Sequence, residues 1–163
     1  MKKAIIIFVF MVIGLMAFGQ TAKTYNEVKI HCDRINKECK GLGNYIWGII
    51  QYYNPQMTTN LVTREPVTNK KRIGLCQIHE FIVQANFGKY NANDLFGSIM
   101  MAKDFLLWLT GKGVSAQKSL FYLLYGLDIT ENPEEEKKVY NNWLEQDFPK
   151  IDNLADEFTG WGF

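Results

Sequence analysis

The sequence predicts an all-α fold. Apolar residues recur at i, i+3 and i+4 through successive segments. Capping and breaking residues separate those segments at helix-length intervals, as at Ser115…Gly126 and Asn132-Pro133. No region is rich in alternating strand-type patterns.

The chain starts as an export signal would. Lys2-Lys3 give a basic start, and Ala4 to Phe18 is apolar but shorter than the about 20 residues of a membrane span. Ala17-Phe18-Gly19 offers small residues for cleavage, so residues 1–19 read as a signal peptide and Gln20 as the mature start. The alternative is an uncleaved N-terminal anchor. With cleavage, the protein is expected to cross the inner membrane, to reside in the periplasm or outside the cell, and to keep no membrane contact. Residues 20–163 are then expected to form a single domain, long enough to bury its own core.

Thr24 or Asn26 can cap a first helix through Val28, Ile30, Ile35 and Cys39, broken at Gly41-Leu42-Gly43-Asn44. A second runs from about Tyr45 to Tyr53, with Ile46, Ile49, Ile50 and Tyr53 inward, and Asn54-Pro55 stops it. Residues 56–73 are polar and irregular, with Pro66 inside; they read as an irregular loop or a small hairpin, since Leu61-Val62-Thr63 has strand character. Gly74 to Phe87 reads as a turn and a helix, with Ile78, Phe81, Ile82 and Ala85 inward and Gly88 at its end.

Asn93 or Asp94 caps the next helix, whose stripe is Leu95, Ile99, Ala102, Leu106 and Leu109, and Gly111-Lys112-Gly113 ends it. Ser115 caps a helix from Ala116 to Tyr125 with Leu120, Leu123 and Leu124 buried and Gly126 following. Asn132-Pro133 opens another, with Glu134 to Glu136 at its positive end and Val139, Tyr140 and Trp143 on one side. Ile151 to Phe158 is amphipathic, and an aromatic tail, Gly160-Trp161-Gly162-Phe163, follows.

Without Lys2 and Lys3, sixteen of the eighteen basic residues face seventeen acidic ones, about −1 with neutral His. That balance gives no basic excess for nucleic acid. No cofactor motif is present, and His31 and His79 stand in no ligand spacing with the cysteines, so no metal is expected. Export permits a disulfide. Cys32, Cys39 and Cys76 leave three alternatives: Cys39–Cys76, a Cys32–Cys39 bridge across a broken helix, or none.

The run Gly74-Leu75-Cys76-Gln77-Ile78, then Asn93-Asp94-Leu95-Phe96, then the helices with Ile99, Ala102, Phe105 and Leu106 and ending in Leu123-Leu124-Tyr125-Gly126, resembles the lytic transglycosylase domain, a lysozyme-like fold. The resemblance covers about residues 45–127. It implies a lysozyme-like helical domain that meets peptidoglycan glycan strands, with an envelope protein as a further partner. If active, it cleaves the MurNAc–GlcNAc bond; otherwise it binds peptidoglycan or scaffolds in the envelope.

Such cleavage needs a carboxylic acid in an apolar pocket beside the glycosidic oxygen. The family carries its Glu at the end of a helix upstream of the Gly-Leu run, where this chain has Gln51 or Tyr53. Neither is an acid near neutral pH. Two carboxylates are alternative acids: Glu65, in the loop before Gly74, and Glu80, just after Ile78-His79. Their plainer readings are a loop carboxylate pairing with Arg64 or Arg72, and an exposed first-turn glutamate. The resemblance makes Gly74, Cys76 and Gln77 part of the cleft wall and adds Tyr53 and Tyr125 as substrate-binding aromatics. Ser98-Ile99 stands for the family's Asn-Ile, and Leu123-Leu124 replaces its cleft-lining Tyr and Asn. A Cys76 nucleophile activated by His79 is the remaining chemical alternative.

Overall fold

The computed structural model describes residues 23–85, 87–127, 130 and 132–159; the leader read over residues 1–19 and the aromatic tail at 160–163 lie outside the described residues. Helix α1 covers residues 23–38 and is already helical at residue 23, so Thr24 and Asn26 lie within it and do not cap it. Then come α2 (Leu42–Tyr53), β1 (Val62–Arg64), β2 (Lys71–Ile73), β3 (Ile78–His79), α3 (Glu80–Gln84), a 3₁₀ turn at Phe87–Lys89, α4 (Leu95–Gly111), α5 (Ala116–Tyr125), α6 (Pro133–Gln146) and α7 (Phe148–Thr159). The fold is mainly helical, as the sequence predicts, with a small three-stranded antiparallel sheet between the helices. No described helix is long and apolar enough to cross a membrane.

Three later caps form where the sequence puts them. Asp94 accepts from Gly97 N at 2.5 Å, Ser115 from Lys118 N at 3.2 Å and Asn132 from Glu134 N at 3.0 Å, each relieving an amide that the first helical turn cannot pair. Gly126 closes α5 at φ 88°. Along α4, Ile99, Ala102, Leu106 and Leu109 are buried, and along α5 Leu120, Leu123 and Leu124 are. Trp143 of α6 is fully buried, with Phe121, Tyr140 and Phe148 rings 5.0–6.3 Å from it or from one another. Helix α7 lies along α2, where Tyr45 donates to Asp152 at 3.0 Å.

The segment 56–73 is a hairpin. Val62 pairs with Ile73 and Arg64 with Lys71, and Arg72 and Ile73 then pair with His79 and Ile78. The expected helix from Gly74 to Phe87 is corrected to strand β3 and the five-residue α3. Ile78 and Ile82 are spaced for one helix face, yet Ile78 points inward from a strand. Phe81, expected inside, is 51% exposed, and Ala85 is exposed.

All three cysteines are free. Cys32 is buried on an unbroken α1, Cys76 is buried in the core, and Cys39 sits partly exposed just past the helix, so neither expected bridge forms.

Candidate functional site

The loop between β2 and β3 organises the site. Gly74 holds φ 77°, and a Cβ there would lie 1.9 Å from the carbonyl oxygen of Ala92, so only glycine fits without backbone movement. The Cys76 amide donates to Ser98 Oγ at 3.0 Å, which ties this loop to the start of α4. Thus the two stretches aligned by the resemblance, Gly74–Gln77 and Ser98-Ile99, touch in the fold. Gln77, at φ 51°, is 1% exposed. Its amide donates to the carbonyls of Gly74 at 2.8 Å and Leu61 at 3.3 Å, and its oxygen accepts from Thr63. Gln77 therefore fastens the loop to β1, with both its amide nitrogen and its oxygen engaged within the fold.

Burial pushes the Cys76 thiol up to about 12, against a weaker opposing bond with Ser98. Cys76 is fully buried, so its sulfur packs in the core and does not stand open to a substrate.

At the end of α2, Tyr53 lies over the guanidinium of Arg72, whose central carbon is 5.0 Å from that ring and 4.7 Å from the ring of Tyr125. Arg72 is 4% exposed; its Nε donates to Leu124 O at 2.8 Å, and one terminal nitrogen has no partner. The Tyr53 hydroxyl accepts from Trp143 Nε1 at 3.3 Å. Burial raises the Tyr53 hydroxyl well above its ordinary range, with Arg72 opposing. Burial likewise raises Tyr125. The place expected to hold an acid, and both expected substrate-binding tyrosines, are joined in one cation–π stack.

Glu65 is fully buried at the end of the hairpin. Its Oε1 accepts from Val67 N at 2.7 Å; its Oε2 accepts from Thr68 N at 2.5 Å and Thr68 Oγ1 at 2.7 Å. Both oxygens thus shape the turn, which also closes through Glu65 N to Lys70 O at 2.8 Å. Neither Arg64 nor Arg72 forms an ion pair with it; Arg64 donates to Asn69 O at 2.8 Å instead.

Glu80, half-buried, lines a cavity of about 280 Å³ with Thr68, Lys70, His79, Phe81 and Leu127. His79 is 6% exposed. Its Nδ1 accepts from Phe81 N at 3.3 Å, capping α3, and its ring rests against Gly126, where a Cβ would come within 2.8 Å of two ring atoms. Burial lowers the His79 pKa, with Glu80 and Glu65 pulling the other way. The neutral ring, accepting at Nδ1, carries its proton on Nε2. That buried nitrogen has no partner.

The structure thus joins Arg72 to Tyr53 and Tyr125 and puts His79 within electrostatic reach of Glu65, Glu80 and Arg72, with Glu80 at the cavity. The sequence singled out His79 only as an activator of Cys76, and it did not single out Lys70. The available signal was His79 following directly on Gln77-Ile78 and preceding the only acidic residue of α3. Among the described residues no group of three metal-type ligands exists. No family model, curated protein or solved structure matches the chain.

Proposed function

We propose that this is an exported, lysozyme-like protein that binds peptidoglycan without cleaving it. The observation that carries the reading is Arg72 stacked between Tyr53 and Tyr125 where cleavage would require an acid. Glycosidic cleavage builds positive charge on the sugar. A fixed guanidinium at that point opposes such charge. Glu65, the nearer of the two proposed acids in sequence to the end of α2, has both oxygens engaged by its own turn. The Gly74–Gln77 loop and its contact with Ser98 supply the support for a lysozyme-like scaffold.

The test is incubation of purified protein with insoluble sacculi. Retention with no anhydromuropeptide released is the expected result. Failure to be retained overturns the peptidoglycan reading.

One observation favours a second reading, a divergent lytic transglycosylase: Glu80 lines the cavity beside His79 and makes no ion pair among the described residues. Product release by the wild type that disappears in Glu80→Gln would establish it and displace the binding role.

A further inference from the structure

We propose that the cavity between the hairpin turn and α3 binds the carboxylate end of a short peptide. This rests on the peptidoglycan-directed reading only for where such a peptide comes from, the stems carried by the glycan strands. The chemistry rests on the cavity itself.

His79 supplies a buried N–H donor with no protein partner. Leaving such a donor unpaired costs free energy, and an occupant with an acceptor relieves it. Lys70, on the hairpin turn and in the same wall, makes no ion pair among the described residues. Lys70 thus offers an ammonium to one anionic group, and the His79 ring in the same wall holds a buried nitrogen still without a partner.

The rest of the lining limits what that group belongs to. Glu80 faces the same space, so with Lys70 the wall is neutral overall, and a single carboxylate seated against Lys70 meets less repulsion from Glu80 than a doubly charged phosphate does. Glu80 then accepts a peptide N–H. Half-exposed Phe81, with Leu127, provides an apolar wall for small side chains such as the methyl groups of alanine. A space of about 280 Å³ is at the low end of ligand pockets and suits about two small residues.

The probe is diacetyl-L-lysyl-D-alanyl-D-alanine, titrated into the purified protein by calorimetry beside its C-terminal amide and a neutral N-acetylglucosamine tetramer. The acid is expected to bind about tenfold more tightly than the amide, the scale of one charge-assisted contact. Lys70→Ala, at an exposed position, should remove that preference, and Lys70→Arg should retain it. Equal binding of acid and amide overturns the proposal, as does binding of the tetramer alone. Sacculus retention with no peptide binding removes this inference and leaves the peptidoglycan reading standing. Peptide binding without sacculus retention does the reverse.

Discussion

The helical body and the sheet region bury different kinds of side chain. In α4, α5 and α6 the interior is Ile99, Phe105, Leu106, Phe121, Leu124 and Trp143, held by apolar burial that needs shape but no direction. Between residues 54 and 79 the buried set includes Asn54, Glu65, Arg72, Gln77 and His79, five of the seven buried polar side chains described. Those groups must each find a partner, so their geometry is specified bond by bond. Asn54 bonds Thr58 and Leu75 carbonyls, Gln77 bonds three groups, and Glu65 accepts three donors. Arg72 and His79 alone in this segment keep an unpartnered buried nitrogen. The contrast points to the sheet side, which keeps two such nitrogens, whereas the described helices keep one, on Gln51 at the end of α2.

Substitutions on each side sharpen that contrast. The largest effect is expected at Gly74→Ala, where a Cβ meets Ala92 O at 1.9 Å. Backbone must move, and a loss of about 5 kcal/mol or more in urea unfolding is expected. Trp143→Ala empties the centre of the helical body and should cost about 3–5 kcal/mol by the same measurement. Gln77→Leu keeps bulk but orphans Thr63 and two carbonyls, for about 2–3 kcal/mol. If Gln77→Leu proves neutral, the polar network is not what holds the sheet, and the contrast fails.

The smallest effect separates the two regions by pH. His79 has a folded pKa below its unfolded value near 6.5, because burial penalises the cation. Its contribution is therefore complete above about pH 6.5 and is lost as pH falls, since the unfolded chain takes up the proton more readily. His31 is lowered as well, again first by burial. Stability curves from pH 7.5 to 5 should hence flatten in His79→Asn, which keeps a capping side chain, relative to wild type. An unchanged slope assigns the pH response to His31.

The helices were readable because their signals are local. Asp94, Ser115 and Asn132 each cap from within three residues, and the α4 and α5 stripes follow the helical period. The hairpin was half readable through the strand character of Leu61-Val62-Thr63. Strand β3 was not, since Ile78 and Ile82 satisfy a helical spacing while the pairing partner of Ile78, Ile73, is fixed only in three dimensions. The site shows the same limit. Glu65, Glu80, Tyr53 and Tyr125 were singled out, but neither reading of Glu65, as an acid or as a partner of Arg64 or Arg72, foresaw that it bonds Val67 and Thr68, because the turn brings its carboxylate back on itself. Arg72 becomes a site residue only when α2 and α5 converge from nineteen residues before it and fifty-two after it to give Tyr53 and the Leu124 carbonyl.

That convergence sets an order of assembly. The Arg72 guanidinium sheds its water only once Tyr53 on α2 and Tyr125 on α5 both stand beside it. Until then the cation is better left hydrated, so the strand that bears it docks after the helices have met. A group that acquires its contacts past the folding barrier acts on escape from the native state and not on arrival. Arg72→Ala should accordingly steepen the decay in stopped-flow unfolding while the refolding limb stays in place.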